Sequence, residues 1–216
     1  MSYFKELEER SPSGLMEVFD SDALPPDVSE EERPLWFEEV AILLAEGGEA
    51  GVDFLTQRIE GADTAKLAAI LSALTFGKEH LSEDKRAKAR DLLLSFLGHP
   101  DELVVARAVD SLGHLDDQEE TERVWPLLRH PSPYVVASVH RFLRQHAPEK
   151  AWPILLDGLK SPDPIVRQSA LDELDELGRP EALAAIRPLL DDEDADVRQA
   201  AETAVEHLEQ YLAEAP

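Results

Sequence analysis

The chain has 216 residues, of which 43% are hydrophobic, and its formal net charge is −25. This composition is typical of a globular protein, and the absence of cysteine excludes disulfides, thiolate nucleophiles and cysteine metal sites. The negative charge disfavours nucleic acids and anionic membranes as partners. The opening residues, MSYFKELEER, lack the apolar stretch of a signal peptide, and no apolar run approaches the roughly 18–20 residues that span a bilayer. We therefore expect a soluble, cytoplasmic protein.

Two short amphipathic helices are predicted near the N-terminus, in SYFKELEER and SGLMEVFDS. A turn-rich acidic connector, DALPPDVSEEERP, follows them. We expect residues 1–33 to form a helical cap or arm ahead of one continuous array at 34–216. Two roles fit this segment: a cap over the first repeat, or a detachable arm that carries Phe4, Leu15, Met16 and Phe19 to a partner.

The rest of the chain repeats one pattern. Four similar segments begin at His99, His130, Ser161 and Asp192, each 31 residues after the last. They read HPDELVVARAVDSL, HPSPYVVASVHRFL, SPDPIVRQSALDEL and DEDADVRQAAETAV. A fixed period of this length indicates a stacked repeat protein. Less regular copies are predicted upstream, in RPLWFEEVAILLAEGG and GGEAGVDFLTQRIEGADTAKLAAILSAL.

Each copy predicts two antiparallel helices. Apolar residues recur four apart in two blocks, for example Leu155 and Leu159 in the first and Val166, Ala170 and Leu174 in the second, so each block shares one helix face. The position before the second helix holds side chains that can cap its first turn: Asp101, Ser132, Asp163 and Asp194. Prolines are expected to bend the first helix at Pro126 and Pro188.

The stretch DPIVRQSALDELDELGRPEALAAIRPLL resembles the HEAT-like repeat found in phycobilisome lyases and many bacterial adaptor proteins. The matching residues are Asp163, Val166, Arg167, Ala170, Leu174, Leu177, Gly178, Pro180, Glu181 and Ala182, and the next copy matches through Asp194, Val197, Arg198 and Ala201. The match covers about residues 85–208. The resemblance implies an all-α fold, a right-handed α-solenoid of about five to six helix pairs. It also implies a structural role, joining neighbouring repeats, for Asp163, Arg167, Asp194 and Arg198; Val105 and Val136 replace this arginine in the two preceding copies.

Catalytic motifs are missing from the sequence. There is no nucleotide-binding glycine motif and no H-x-x-x-H zinc spacing. Deoxyhypusine hydroxylase, a relative of this repeat class, uses His-Glu dipeptides to hold iron, but here the order is reversed, at Glu79–His80 and Glu206–His207. His99 and His130 recur at one position of the repeat and are interpreted as turn residues. We expect no catalytic residue, no metal and no cofactor.

Partner contacts are expected on the second helices, which line the concave side of HEAT-like arrays. The candidate residues are Arg107, Asp110, His114, His140, Arg141, Arg144, Asp172, Asp175, Glu176, Glu202 and Glu206. A basic island within this set comprises His140, Arg141, Arg144 and His146, with Arg107 and His114 one copy earlier. It is interpreted either as an anchor for an acidic group of the partner or as a chance cluster on a solvated face.

The leading hypothesis is a non-enzymatic scaffold or adaptor that binds a protein or peptide on its concave face, with a bias toward basic partners. One alternative is a bilin-lyase-like factor that attaches a cofactor, as the resemblance implies. Another is an acidic inhibitor or immunity-type protein that mimics a polyanion. The same charge would also serve solubility alone.

Overall fold

The structure, a computed structural model, describes residues 4–21, 23–76, 82–115 and 121–214. Throughout these ranges the secondary structure consists of helices and turns without a strand, which confirms the all-α prediction. The chain divides into two compact units, Met1–Leu115 and Asp116–Pro216, here called unit 1 and unit 2. Each unit is described by itself. The expected boundary between residues 33 and 34 stays a prediction.

Unit 1 is organised around three helices that pack side by side, α3, α5 and α7. Helix α4 packs on α3 and α5, and α6 packs on α7. The described helices of this unit are α1 (Lys5–Glu8), α2 (Pro12–Asp20), α3 (Arg33–Glu46), α4 (Glu49–Thr56), α5 (Thr64–Phe76), α6 (Glu83–Ser95) and α7 (Glu102–His114). The pairs α4/α5 and α6/α7 are the helix pairs that the repeat pattern predicts.

The N-terminal helices α1 and α2 lie against α3. Phe19 is fully buried and its ring lies 5.8 Å from that of Phe37, and the Phe4 ring lies 4.9 Å from that of Trp36. An ion pair between Asp20 and Arg58 adds a polar link from α2 to the residues after α4. This apolar docking is the arrangement expected of a cap.

Unit 2 places α9 (Pro133–His146), α11 (Pro164–Glu176) and α13 (Ala195–Glu214) side by side. The first helices of its pairs are α8 (Thr121–Val124), α10 (Pro148–Gly158) and α12 (Leu183–Ile186). Helix α8 continues as a 3₁₀ helix over Trp125–Arg129, and α12 is flanked by 3₁₀ helices at Pro180–Ala182 and Arg187–Asp191. Helix α10 packs against α9 and α11, and α12 packs against α13.

The expected disturbance at Pro126 and Pro188 takes the form of a change of helix type. In both cases the α-helix ends two residues before the proline, and the proline occupies the second position of a 3₁₀ helix. A proline lacks the N–H of the α-helical ladder and its ring clashes with the carbonyl four residues earlier, so the tighter helix begins there.

Caps form before three of the four predicted second helices. A side-chain oxygen of Asp101, Asp163 or Asp194 accepts a hydrogen bond from the N–H two residues later, at 2.9–3.0 Å. The prediction is wrong for Ser132, whose hydroxyl is buried and has no hydrogen-bond partner. Serine can cap a helix in this protein, as Ser11 and Ser82 do for α2 and α6, but the Ser132 hydroxyl does not accept a bond from an N–H of the first turn of α9.

The four turns before the predicted second helices make the same bond with three kinds of side-chain group, an imidazole, a hydroxyl and a carboxylate. His99 Nδ1 and His130 Nδ1 each accept the N–H two residues later at 3.1 Å. Ser161 Oγ and Asp192 Oδ1 accept the equivalent N–H at 3.2 and 3.0 Å. The interpretation of His99 and His130 as turn residues is therefore confirmed.

Candidate functional site

The arginine that follows the capping aspartate holds the turns of unit 2. Arg167 is 7% exposed, and its guanidinium binds both carboxylate oxygens of Asp192, at 2.7 and 2.9 Å. The same group donates to the carbonyls of Ser161 and Pro162, at 2.9 and 3.2 Å. Arg198 donates in the same way to the carbonyls of Asp192 and Glu193, at 2.7 and 3.0 Å. The bond between Arg167 and Asp192 joins α11 to the turn before α13, whereas the bonds of Arg198 join α13 to its own preceding turn. The structural role of Asp163, Arg167, Asp194 and Arg198 in joining repeats stays a prediction.

The arginines of α9 face a buried carboxylate on α11. Arg144 Nε donates to Glu173 Oε2, and Arg141 Nε lies 3.6 Å from Glu173 Oε1. Glu173 is 5% exposed. Burial raises the pKa of Glu173, while Arg144 acts in the opposite direction. Both arginines therefore help to compensate a charge inside the protein, and Arg141 is the more exposed of the two.

His140 does not lie on the surface, contrary to its prediction as a partner-binding residue. It is 2% exposed, and its Nδ1 is 3.2 Å from Ser169 Oγ. Burial lowers the pKa of His140 to about 4, so the ring is neutral at pH 7. The equivalent positions on α7 and α11, Val109 and Leu171, are also fully buried. The basic island is further reduced because His146 is half-buried against the Phe142 ring, at 4.6 Å.

Carboxylates cover the exposed side of α11 and α13. We define the acidic face as Asp172, Glu176, Glu202 and Glu206, all of which are exposed. Between them, Asp175 is half-buried and its Oδ2 lies 2.8 Å from His207 Nδ1. This bond to Asp175 raises the pKa of His207, and the charges of Glu206 and Glu176 add to the effect. The face therefore continues from one helix to the next.

Burial and neighbouring carboxylates both act on Asp172. Desolvation, followed by the charges of Glu173 and Asp175, raises the pKa of Asp172 to about 6. Asp172 keeps an exposed surface, so the desolvation reflects protein packed around its carboxyl rather than full enclosure. Arg141 acts on this pKa in the opposite direction without cancelling the shift. The face is thus acidic and short of cations.

The candidates of unit 1 do not form a comparable surface. Arg107 is occupied by Glu38 of α3, with Arg107 Nη2 2.8 Å from Glu38 Oε2. Asp110 is half-buried. His114 is exposed, with its ring 6.4 Å from that of Phe76, which is 51% exposed.

Two residues of the unit 2 site were not predicted from sequence. In the sequence Glu173 is one of many acidic residues. Only the packing of α9 against α11 shows that it is buried beside Arg141 and Arg144. His207 was noted for the order of a dipeptide, whereas its contact with Asp175 depends on the register of α13 against α11. The Glu79–His80 pair lies outside the described residues. Within the described ranges, His, Asp and Glu side chains form no group of three or more placed to hold a metal ion.

No helix within the described parts of the chain has the length and apolar character needed to cross a membrane. A family model for HEAT repeats matches residues 52–141 and 122–206. No curated protein sequence matches the chain significantly. The right-handed sense and the number of helix pairs stay predictions.

Solved structures similar to this chain share the helical repeat architecture. Escherichia coli YibA has a TM-score of 0.68 and 16% identity, over 97% of this chain and 77% of that chain. The complex of CpcE and CpcF of phycocyanin lyase from Nostoc sp. PCC7120 has a TM-score of 0.54 and 18% identity, over 94% and 85%. An engineered protein has a TM-score of 0.52 and 18% identity, over 94% and 98%. At these identities the likeness concerns the fold alone. The repeated match to one family model, over most of the chain, shows that this protein belongs to the HEAT-repeat family.

Proposed function

We propose that the protein is a non-catalytic binding module that recognises a basic protein or peptide through the acidic face of α11 and α13. The observation that carries this proposal is the set of four exposed carboxylates on two adjoining helices, Asp172, Glu176, Glu202 and Glu206. Desolvation first, and then repulsion by neighbouring carboxylates, raises the pKa of Asp172 to about 6. A cation brought by a partner relieves this repulsion, so part of the binding free energy is stored in the unbound protein.

Contacts on both sides of α11 hold the acidic face in a fixed geometry. Glu173 ties α11 to α9 through Arg144, and Asp175 ties α11 to α13 through His207. Helices held at both sides keep their carboxylates at set spacings, which limits the entropy lost when a partner is bound. Arg141, partly exposed beside Asp172, supplies one positive group that would orient the partner and reject uniformly cationic ligands.

A peptide-display library tests the proposal directly. We expect the folded protein to enrich peptides that carry several Lys or Arg residues, and the best of these is then synthesised with a fluorescent label. Its affinity is measured by anisotropy at physiological salt for the protein and for a variant in which the acidic face is neutralised, Asp172→Asn, Glu176→Gln, Glu202→Gln and Glu206→Gln. We expect at least a tenfold weaker affinity, about 1.4 kcal/mol, for this variant.

The matched control removes four exposed acids elsewhere in unit 2: Asp157→Asn, Glu181→Gln, Asp191→Asn and Glu193→Gln. Both variants gain four units of charge, so they reduce long-range attraction equally. A specific site predicts less than about a threefold loss in the control. Equal losses in the two variants would show that the protein attracts cations by net charge alone and would refute the site.

A second candidate function comes from the similarity to the phycocyanin lyase complex. In this alternative the protein would assist attachment of a tetrapyrrole cofactor. Incubation with a bilin and an acceptor protein would then give a shifted absorption band and a covalent adduct, and neither outcome would depend on the acidic face. The absence of both would leave the binding module as the function to pursue.

A further inference from the structure

The position of the buried arginine is vacant in one repeat of unit 2. At the junction of α11 with the turn before α13, Arg167 fills the space and binds Asp192. One repeat earlier Val136 takes the place of the arginine, and Ser161 takes the place of the aspartate. Both partners of the ion pair are therefore absent from the junction of α9 with the turn before α11.

A cavity of about 840 Å³ lies at this junction. Its volume is in the range of small-molecule sites, roughly 300–1,000 Å³. Most of its wall is apolar, and the residues that matter here are Val136, His140, Gly158, Ser161, Pro162 and Val166. The cavity and the vacant arginine position thus coincide, because a valine side chain is too short to occupy the space that Arg167 occupies in the next repeat.

One buried polar group of this wall, the His140 ring, can serve as a hydrogen-bond acceptor. Ser169 Oγ lies 3.5 Å from the Ala137 carbonyl and 3.2 Å from His140 Nδ1. In the arrangement in which the serine donates its proton to the carbonyl, it accepts a hydrogen bond from Nδ1. The neutral imidazole then carries its proton on Nδ1 and a lone pair on Nε2. A Cβ placed on Gly158 would lie 3.1 Å from His140 Cε1 and 3.5 Å from Nε2, so this edge of the ring faces the end of α10, where the glycine leaves room.

We propose that this cavity binds an arginine side chain of a protein partner, which replaces in trans the arginine that this repeat lacks. The fold shows how a guanidinium is held at such a position: Arg198 uses two main-chain carbonyls, those six and five residues before it, and Arg167 uses the same two positions. For Val136 the matching carbonyls belong to His130 and Pro131, which do not line the cavity but stand between its lining residues Leu128 and Val136 in the sequence. His140 Nε2 adds an acceptor, and the valines can pack against the methylene stem of the ligand.

The charge balance of the cavity permits a cation. The charged side chains of the wall are Lys160 and Asp157, which are exposed and form an ion pair at 3.5 Å, so they cancel one another. The net charge of −25 then favours a cation over an anion. This inference goes beyond the proposed function, because no residue of the cavity belongs to the acidic face and either site can exist without the other.

The test is an NMR titration with N-acetyl-arginine-N-methylamide, a minimal arginine residue, followed at the imidazole signals of His140 and the amide of Gly158. We expect saturable shifts at both with a dissociation constant of about 1 mM, as befits so small a ligand. The matching citrulline and lysine compounds keep the shape or the charge but not both. Each should bind at least fivefold more weakly, and equal binding of either would overturn the assignment of a guanidinium site.

Two variants of the cavity complete the experiment. Val136→Arg with Ser161→Asp reproduces the pair of the next repeat and should raise the melting temperature while abolishing the shifts. Should that variant fail to fold, His140→Leu, which copies Leu171 of the next repeat, should weaken the Gly158 response at least fivefold. Arginine binding that survives His140→Leu unchanged, or the lack of any saturable shift in the unaltered protein, refutes the proposal. The variant with a neutralised acidic face should keep the shifts, which separates this site from the other.

Discussion

Helices α5 and α11 hold equivalent places in their units, each between two second helices, yet only α11 presents carboxylates. In α5, Leu71, Ser72 and Thr75 are all buried. Asp63 caps α5 by accepting a hydrogen bond from the N–H of Lys66, as Asp163 caps α11. At the same distances after Asp163, α11 carries Leu171, Asp172 and Asp175. The leucine is buried in both helices, but Asp172 is exposed where Ser72 is not. Equivalent positions of the repeat therefore need not have equal exposure to solvent, because the neighbouring side chains differ.

The difference arises from what lies beside each helix. Around α5, Thr75 Oγ1 donates to the Ser72 carbonyl and Ser111 Oγ of α7 donates to the Leu71 carbonyl, each at 2.9 Å. Arg107 of α7 bonds to Glu38 of α3, the two helices that flank α5. These hydroxyl groups and the ion pair between Arg107 and Glu38 thus help to cover the surface of α5 in unit 1. On α11 larger charged side chains keep the equivalent surface open to solvent.

The largest expected effect comes from moving a charge of α11 into α5. Ser72→Asp should reduce the free energy of unfolding by about 3 kcal/mol at pH 7.5, since an ionised carboxylate would be buried without a cation. Urea denaturation measures the change. The reciprocal variant, Asp172→Ser, should be neutral or slightly stabilising. A loss below about 1 kcal/mol for Ser72→Asp would mean that the two surfaces differ less than their burial indicates.

A smaller loss is expected when the buried carboxylate of α11 is deprived of its closer arginine. Arg144→Ala leaves Glu173 with Arg141 alone, and should reduce the free energy of unfolding by about 2 kcal/mol. Replacing both partners, Arg144→Leu with Glu173→Leu, should restore most of the loss because no buried charge is left uncompensated. Lys88→Ala, which breaks the exposed pair with Asp84, should cost under about 0.5 kcal/mol.

The expected contrast between the buried pair and the exposed pair is contradicted if Arg144→Ala costs no more free energy of unfolding than Lys88→Ala in urea denaturation.

The contact of Arg144 with Glu173 also affects how the basic island predicted from sequence can be tested. Reversing the charges of Arg141 and Arg144 would place two further carboxylates beside the buried Glu173, so a loss of binding in such a variant would report damage to the fold as well as to a site.

Much of the fold could be predicted because the repeat period places apolar positions, caps and turns in register. The burial of His140 could have been predicted from the sequence. The equivalent positions of the neighbouring repeats hold Val109 and Leu171, both apolar and buried, and only Glu202 of the last helix is exposed. The role of Glu173 had no such signal, since an acidic residue in a chain with 46 of them acquires meaning only from the arginines opposite. Contacts between repeats, unlike those within one helix, depend on how the helices pack.

The smallest expected effect is a dependence of stability on pH with opposite signs in the two units. The pKa of Asp172, about 6 in the folded protein, lies above its ordinary value of 3.8, so its ionised form disfavours folding as pH rises between these values. Asp172→Asn should therefore stabilise the protein at pH 7.5, by under about 1 kcal/mol because the residue is exposed, and should have no effect below about pH 4.

Asp63, which stands before α5, provides the opposite case. Its bond to Arg33 lowers the pKa of Asp63, so its ionised form contributes stability that is present above the ordinary pKa and lost as pH falls through the lowered one. Asp63→Asn should therefore destabilise the protein at pH 7.5, and the loss should shrink in acid. Urea midpoints decide the matter, measured at pH 7.5 and about pH 4 for Asp172→Asn, and at pH 7.5 and about pH 3 for Asp63→Asn, because the contribution of Asp63 is lost only below its ordinary pKa of 3.8. Changes of the same sign at pH 7.5 would contradict the view that α11 holds carboxylates in excess while the start of α5 holds one that is paired with a cation.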